Sequence, residues 1–355
     1  MPHFDIVRNN EVKNKSFRVA QLYDQFDIHS DSYQEHFVGD ISLPEKWNVG
    51  IIVGKSGTGK TTIARELFGD SMNTFEYTHD SVIDDFPNKS NAKDIFDILS
   101  SVGFSCPPSW LKPYSVLSNG EKMRVDLARA ICENKELTVF DEYTSVVDRD
   151  IAKVGSCAVQ KAVRRSGKKF IAVSCHYDII EWLEPDWVFC TDDMTFKDTR
   201  GLLRRPQINV SIYEQRGMWK LFRKYHYLSS ELNKAARQYV AYIGDKPVAF
   251  CAVLYFPHPQ IHNCYRVTRL VVLPDYQGIG IGKRMMSFLG EKYAGEGKVL
   301  DITTSLKGFA KSLMRDSRYV LIHAGRLHGV NTIKTLNNAS SRNRNTYSFR
   351  YRSIA

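Results

Sequence analysis

Long apolar runs are missing from this sequence of 355 residues. No stretch approaches the roughly 18 consecutive apolar residues that a membrane-spanning helix needs. The first residues, 1–8, also lack the charged and apolar regions of a signal peptide. We therefore expect a cytoplasmic protein that works without a membrane.

Paired cysteines are missing as well. The seven cysteines are odd in number, lie scattered along the chain and form no Cys-x-x-Cys motif. This pattern indicates reduced thiols, which are typical of the cytoplasm. His258, His262 and Cys264 have a spacing found among metal ligands, but so small a set in a proline-rich loop is more often no metal site.

Acidic residues are scarce in the second half of the chain. Residues 206–355 hold 23 of the 49 Lys and Arg but only 8 of the 39 Asp and Glu, so they carry a net charge of +15, and residues 1–205 carry −5. The charge changes sign at a segment with Gly and Pro, residues 199–206. We predict two domains, residues 1–205 and 206–355. A basic domain suggests DNA or RNA as a partner, and a solvated surface without a ligand is the alternative.

Short apolar or β-branched runs alternate with amphipathic stretches before this boundary. They are residues 49–53, 137–140 and 170–174, and each precedes a candidate helix. The alternation predicts a largely parallel α/β sheet. After the boundary the pattern predicts a mixed α+β domain. Its strand-like segments are residues 208–212, 239–243, 248–256 and 266–273.

A glycine-rich segment follows the first predicted strand directly. It matches the pattern G-x-x-x-x-G-K-[ST], in which backbone N–H groups wrap phosphates. Lys60 would reach the β- and γ-phosphate oxygens of ATP, and the Thr61 hydroxyl would hold Mg²⁺. We predict that ATP is bound by Gly54, Lys55, Ser56, Gly57, Thr58, Gly59, Lys60, Thr61 and Thr62.

Two carboxylates end the predicted strand 137–140. Asp141 fits the residue that holds Mg²⁺, and Glu142 fits the base that polarises the attacking water. The alternative is a simple helix N-cap. The glycine-rich loop some 80 residues upstream favours the catalytic interpretation.

The segment 117–121, Leu-Ser-Asn-Gly-Glu, resembles the signature Leu-Ser-Gly-Gly-Gln of ABC ATPases, with two replacements. Ser118 and Gly120 at a helix N-terminus can bind a γ-phosphate. Residues 145–148 resemble the D-loop of that family, and His176 resembles its switch histidine. The resemblance covers residues 30–180. Because the signature acts on the opposite subunit in this family, it implies a head-to-tail homodimer.

The sequence departs from the ABC pattern in two ways. No Gln occurs between Lys60 and Leu117, so the family's Q-loop residue is absent, and Asp84 or Asp85 is the candidate replacement. The same interval is short for the helical arm that couples transporters to their membrane domains. Tyr33 has the spacing of the adenine-stacking aromatic, although a core or surface tyrosine is an equal alternative.

A second glycine-rich segment, residues 277–282, follows the predicted strand 266–273. A dinucleotide-binding G-x-G-x-x-G would need glycine where Lys283 stands, and a second P-loop has the wrong spacing. The segment resembles motif A of GNAT acyltransferases over residues 206–325. The resemblance implies that acetyl-CoA or another acyl-CoA is bound, with Val272 supplying an oxyanion donor. The implied phosphate contacts are Gln277, Gly278, Gly280, Gly282 and Lys283.

Candidates for the acid and base of acyl transfer lie on either side of this motif. Tyr319 stands where GNAT enzymes often have a tyrosine acid, with core packing as the alternative. His226 and Tyr227 resemble the His-Tyr pair of the Mom-type DNA-modifying GNAT proteins of bacteriophages. The basic and aromatic tail with Tyr347 and Phe349 could stack on an unpaired base.

Together these patterns predict an α/β protein, a P-loop ABC ATPase domain followed by a GNAT α+β acyltransferase domain. Its cofactors are expected to be ATP, Mg²⁺ and an acyl-CoA, and its acceptor a base amine of a nucleic acid. Two alternatives stay open. One is a protein or small-amine acetyltransferase regulated by the ATPase, and the other is a DNA-binding ATPase with a catalytically silent GNAT fold.

Overall fold

A computed structural model of the chain describes residues 3–11, 16–26, 32–72, 75–133, 135–145, 147–202, 207–226, 231–325 and 345–352. The strands are β1 (His3–Glu11), β2 (Ser32–Asp40), β3 (Val49–Val53), β4 (Leu137–Phe140), β5 (Lys169–Ser174), β6 (Trp187–Cys190), β7 (Thr195–Asp198), β8 (Ser211–Glu214), β9 (Arg237–Ile243), β10 (Lys246–Tyr255), β11 (Cys264–Val272), β12 (Val299–Thr304), β13 (Tyr319–Gly325) and β14 (Thr346–Tyr351). The helices are α1 (Phe17–Phe26), α2 (Lys60–Phe68), α3 (Ala92–Ser101), α4 (Pro107–Trp110), α5 (Asn119–Cys132), α6 (Arg149–Ser166), α7 (Ile179–Leu183), α8 (Trp219–Phe222), α9 (Ile281–Gly295) and α10 (Lys307–Met314). None of these helices is both long and apolar enough to cross a membrane.

The first half of the chain is built on a five-stranded sheet with the order β4-β5-β3-β6-β7. Its first four strands are parallel, and β7 pairs with β6 in the antiparallel direction. All five residues of β3 are buried, as expected for a parallel strand covered on both faces. The carboxyl ends of β3, β4 and β5 meet at one edge of the sheet. The segments predicted to bind ATP and Mg²⁺ follow these ends.

The second half is a seven-stranded sheet with the order β13-β14-β12-β11-β10-β9-β8. Only β11 and β12 run parallel, and they pair over just four residues, Cys264–Val267 with Val299–Ile302. Beyond that point β11 continues to pair with β10 as far as Val272. The two parallel strands therefore diverge, and a cleft opens between residues 268–272 and the end of β12.

The strand β14 corrects one prediction. Residues 346–351 do not form an exposed tail but pair with both β12 and β13. Phe349 is fully buried, Tyr351 is 7% exposed, and Tyr347 packs against the same core. Because side chains alternate along a strand, these three aromatics share the covered face and are not available to stack on a base.

The two halves are in direct contact. Helices α3, α5 and α6 of the first half pack against α10 and the turn Pro274–Tyr276 of the second. Gly103 and Gly278 touch backbone to backbone, since a Cβ added to Gly103 would lie 2.9 Å from the Cα atom of Gly278. The predicted boundary falls at residues 203–206, outside the described part of the chain, and stays a prediction.

Candidate functional sites

The loop between β3 and α2 has the shape of a phosphate cradle. Gly57 and Gly59 have positive φ angles of 84° and 82°. A Cβ at Gly54 would meet the Thr191 hydroxyl at 2.1 Å and one at Gly59 would meet the Phe37 ring at 2.5 Å, whereas one at Gly57 would meet nothing within 4 Å. The loop is thus closely packed against the protein at Gly54 and Gly59, and it faces open space at Gly57. Its open side leads into the N-terminus of α2, where anions are favoured.

Hydrogen bonds from outside the motif brace this loop. The Lys55 N–H donates to Asp192 Oδ1 at 2.8 Å, and the hydroxyls of Thr58 and Thr191 are 2.5 Å apart. Lys60 Nζ donates to the Lys55 carbonyl at 2.6 Å. Sequence analysis missed Thr191 and Asp192, and the only signal for them is their position directly after β6. The predicted Ser56 lies in the loop and Thr62 in the first turn of α2.

Thr61 and Asp141 form the pair predicted to hold Mg²⁺. Thr61 lies on α2, and Asp141 directly follows β4. The Thr61 hydroxyl donates to Asp141 Oδ1 at 3.1 Å. The Glu142 N–H donates to the same carboxylate oxygen at 3.0 Å. Hydroxyl and carboxylate oxygens are ligands that Mg²⁺ accepts, so these two residues fit the metal.

Glu142 sits in a strained loop. Its φ angle is 52° and that of Thr144 is 63°, both in the left-handed region that non-glycine residues rarely adopt. The Ser145 hydroxyl donates to Glu142 Oε2 at 2.6 Å. The Tyr143 carbonyl accepts from the Ser174 hydroxyl at 2.9 Å, and so the loop is tied to the end of β5.

His176 follows the same strand. Its backbone N–H donates to the Ser174 hydroxyl at 3.2 Å. Ser174 thus contacts both the loop of Glu142 and the segment of His176. The loop of the predicted base and the segment of the predicted switch histidine are therefore both hydrogen-bonded to Ser174.

Ser118 caps α5, as its predicted place at a helix start requires. Its hydroxyl accepts from the Glu121 N–H at 3.3 Å, and the Glu121 carboxylate accepts from the Ser118 N–H at 3.0 Å. These two bonds form a capping box, which Glu121 completes as the Gln of the ABC pattern could also do. Gly120 is buried in the first turn of this helix.

Two further residues are considered as nucleotide contacts, Asp85 in place of the Q-loop glutamine and Tyr33 as the adenine-stacking aromatic. Asp85 is buried and accepts from the Thr78 N–H at 2.9 Å and from His79 Nδ1 at 2.8 Å. Burial acts to raise the pKa of Asp85, but the bonds from His79 and Thr78 outweigh it and lower that pKa. Asp85 therefore braces its own turn. The side chain of Tyr33 lies outside the described residues, although its backbone belongs to β2.

A half-buried polar cluster around Asp126 of α5 was not predicted from the sequence. The rings of Tyr77 and Tyr114 stack with centroids 3.7 Å apart. Both hydroxyls donate to the Asp126 carboxylate, at 2.6 and 2.9 Å. Burial raises the pKa of Asp126 to about 6, although these bonds act against the rise. The cluster ties the segment after α2 to the signature helix.

This cluster predicts a pH dependence of stability. The pKa of Asp126 is higher in the folded protein than in the unfolded chain, so its stabilising contribution is complete below about pH 4 and is lost as the pH rises through 6. In Asp126→Asn the contribution disappears. We expect the difference in unfolding free energy between wild type and this variant to fall by up to about 2 kcal/mol from pH 4.5 to 7. Urea titrations at several pH values measure the unfolding free energy of both proteins, and Asp24→Asn, at an exposed position, is the control. If the wild type and Asp126→Asn show the same pH dependence, the raised pKa of Asp126 is wrong.

The segment between β11 and α9 forms the second candidate cradle. Gly278 and Gly280 have φ angles of 84° and 98°. A Cβ at Gly280 would meet nothing within 4 Å. A cavity of about 220 Å³ lies beside it, lined by residues of α9 and of α6. Open backbone at the start of a helix of 15 residues suits an anionic ligand such as a pyrophosphate.

Val272 is placed at the divergence of β11 and β12. The Leu273 N–H donates to the Val248 carbonyl on β10 at 2.9 Å. Because backbone groups alternate in direction along an antiparallel strand, the Val272 N–H points away from β10 and toward the cleft. The Val272 carbonyl on the same side accepts from Gln277 Nε2 at 2.8 Å.

Two of the predicted phosphate contacts have other partners. Gln277 Oε1 accepts from the Ser105 N–H at 2.5 Å, across the contact between the halves. Lys283 Nζ lies 3.0 Å from Asp316 Oδ2. A Cβ at Gly282 would lie 3.6 Å from Val272, so that position has room only for van der Waals contact. The side chains of Gln277 and Lys283 thus serve the protein itself.

The candidates for the acid and the base of acyl transfer lie in different surroundings. The His226 ring makes an edge contact with Trp219 at 5.8 Å, and Trp219 packs with Phe250 and Val271 near the end of β11. Tyr227 lies outside the described residues. Tyr319 is 7% exposed, packs edge-on against Tyr351, and burial raises its pKa. Tyr319 therefore packs in the core of the second half, and its role as the acid stays a prediction.

His258, His262 and Cys264 are the residues whose spacing is also found among metal ligands. Among the described residues no group of three or more potential ligands comes together. Cys264 is buried, with its Sγ 3.6 Å from Asp301 Oδ2. It belongs to the interior of the sheet.

Comparisons with known proteins find relatives of both predicted kinds of domain. Residues 234–348 match the family model described as "Acetyltransferase (GNAT) domain". An ABC transporter of Fusarium pseudograminearum is 34% identical over 87 residues, 24% of this chain and 6% of that protein. The ABC-type transporter MDR1 of Aureobasidium melanogenum is 35% identical over 75 residues, 21% of this chain and 5% of that protein. The chain thus spans about one-twentieth of the length of these curated relatives.

Solved structures resemble each half separately. A bacterial ABC transporter cassette solved as a dimer is 14% identical with a TM-score of 0.37, covering 47% of this chain and 93% of that one. The ribosomal-protein-S18-alanine N-acetyltransferase of Escherichia coli is 13% identical with a TM-score of 0.30, covering 40% of this chain and 93% of that one. The family-model match supports the predicted GNAT domain, and the mostly parallel sheet of the first half bears out the α/β prediction for that half.

Proposed function

From the premise that one chain joins an ABC ATPase fold to a GNAT acetyltransferase domain, we propose an ATP-hydrolysing N-acyltransferase that acts as a head-to-tail homodimer. One observation carries the proposal. The chain has two open glycine loops, at Gly57 and Gly280, each leading into a helix N-terminus. One lies beside a hydroxyl–carboxylate pair and the other beside two diverging strands.

The first loop supports ATP hydrolysis. Lys60 would leave the Lys55 carbonyl to hold the β- and γ-phosphates, while Thr61 and Asp141 would hold Mg²⁺. Bound Mg²⁺ would neutralise part of the negative charge on the phosphates. Glu142, fixed by Ser145, would orient and deprotonate the attacking water.

The second loop supports transfer from an acyl-CoA. The amides around Gly280 and the start of α9 would hold the pyrophosphate. The thioester would lie in the cleft, with the Val272 N–H donating to its carbonyl oxygen as negative charge develops. His226 would accept the proton of the attacking amine, whose nitrogen forms the new bond to the acyl carbon while the thiolate leaves.

A nucleic acid is the acceptor that the surface favours. Arg216, Lys220, Arg223 and Lys224 are all exposed on the segment that ends at His226. Trp219 and Phe222 anchor this segment in the core, so the cations face outward as a group, which we name the basic ridge. Such a ridge suits a phosphate backbone beside a reactive base. The buried aromatics of β14 lend this proposal no support.

The test is transfer from labelled acetyl-CoA to single-stranded DNA or RNA, with ATP and Mg²⁺ present. We expect His226→Ala to lower labelling about a hundredfold at saturating nucleic acid, because the base is lost. Lys220→Ala with Arg223→Ala should instead raise the nucleic acid concentration needed for half-maximal labelling. It should also reduce the log–log salt slope of single-strand binding by about 1.4.

The matched controls are His262→Ala for the base and Lys46→Ala with Lys93→Ala for the ridge, all exposed positions. Label on protein alone would replace the nucleic-acid acceptor with a protein amine. Nucleic acid binding without any label would leave a DNA-binding ATPase with a silent GNAT fold.

A further inference from the structure

The turn Pro274–Tyr276, which leads into the second glycine loop, lies on the start of the signature helix α5. Residues of the two halves that are more than 100 positions apart meet there. The contacts involve the helix cap, a buried arginine and the loop that resembles the D-loop. The region predicted to face a second copy's nucleotide is therefore held from within the chain.

Arg124 fastens the turn to α5. Its side chain is 0% exposed, and its two terminal nitrogens donate to the carbonyls of Pro274 at 2.8 Å and Asp275 at 2.9 Å. Burial lowers the pKa of Arg124, and the nearby Asp275 carboxylate opposes only part of this effect. A buried cation without these partners would be costly, so the turn and the helix stay in register.

Asp275 places a carboxylate at the start of α5. Its Oδ1 accepts from the Ser118 hydroxyl at 3.2 Å and lies 3.0 Å from the position of a Cβ on Gly120. Helix N-termini attract anions, and here the anion is a side chain of the same chain. Burial raises the pKa of this carboxyl, which is consistent with its enclosed position.

A second contact holds the neighbouring loop. Lys246, in the second half, donates from Nζ to Asp150 Oδ2 at 2.8 Å and lies 3.4 Å from Asp148 Oδ1. Asp148 is the last residue of the segment that resembles the D-loop. The segments that resemble the signature and the D-loop therefore both touch the acyltransferase half.

We propose that Asp275 is a latch: its carboxylate holds the anion position at the start of α5 that the γ-phosphate of ATP bound by a second copy would take. This inference rests on the proposed head-to-tail pairing. ATP-driven pairing then has to displace Asp275 from Ser118 and Gly120. Removing the negative charge lowers the ATP concentration that pairing requires.

The experiment measures dimer fraction against Mg-ATP concentration by analytical ultracentrifugation, with Glu142→Gln as the parent so that ATP persists. Asp275→Asn keeps the backbone carbonyls that Arg124 binds. For this variant we expect the ATP concentration at which half of the protein is dimeric to be about tenfold lower than for the parent. Asp275→Ala, a second variant should Asn disturb folding, is expected to shift it at least as far. Asp275→Glu keeps the charge and should stay within about twofold of the parent.

Asp245→Asn, at an exposed acid of the same half, is the matched control and should not move the curve. Melting curves establish that each variant is folded. If Asn and Ala variants pair at the parent's ATP concentration, the latch is wrong while ATP-driven pairing stands. If every variant and the parent stay monomeric at saturating ATP, the pairing in the proposed function fails, and the latch fails with it.

Discussion

Replacing Lys60 with alanine is expected to lower ATP turnover at least about a hundredfold. The ammonium is the cation at the mouth of the first loop, bonded there to the Lys55 carbonyl at 2.6 Å. Preorganised charges aimed at developing negative charge are worth about that factor or more when removed. Glu142→Gln should lower turnover by a similar factor yet retain ATP, because it removes the base and leaves the loop intact.

The two variants thus separate binding from chemistry. Equilibrium binding of a fluorescent ATP analogue should be weakened in Lys60→Ala and preserved in Glu142→Gln, while phosphate release falls in both. Lys46→Ala and Glu45→Gln, both exposed, are the matched controls. Unchanged phosphate release in both loop variants would rule out the ATPase assignment.

Gly280→Asp is expected to abolish measurable CoA binding. The position has a φ angle of 98° and faces open space, so a side chain there would enter the volume that a pyrophosphate needs. The aspartate would add like-charge repulsion to that bulk. We expect the dissociation constant for acetyl-CoA, measured by calorimetry, to rise at least about a hundredfold, which is about 2.7 kcal/mol.

Gly297→Asp is a close control for this variant. Gly297 also has a positive φ angle, 68°, and open space around it, but it follows the far end of α9. It reproduces the backbone strain and the added charge without touching the cradle. If both variants bind acetyl-CoA as the wild type does, the loop at Gly280 is not its site.

Local sequence patterns predicted most of the strands near both sites. The predicted strand at residues 49–53 coincides with β3 and that at 137–140 with β4, because buried parallel strands are continuous apolar runs bounded by glycine or charge. The strand β14 escaped prediction. Its aromatic residues alternate with Ser348 and Arg350, a pattern that an exposed tail also shows. Only the pairing with β12 and β13 distinguishes the strand from such a tail.

Motif spacing likewise predicted the residues of each loop but not their links to the rest of the chain. Thr61 and Asp141 could be paired because each belongs to a known pattern. Asp275 and Ser118 are 157 positions apart, and no pattern connects them. Their contact depends on how two folded halves pack, which is a property of complementary surfaces and not of local spacing.

The backbone contact between Gly103 and Gly278 limits how this protein can be altered or recombined. Both glycines have left-handed backbones, with φ angles of 86° and 84°, and each Cβ would come within about 3 Å of the other residue. A methyl group at either position would therefore force the halves apart. A chimera that exchanges one half for a homologous module should therefore need glycine at both positions.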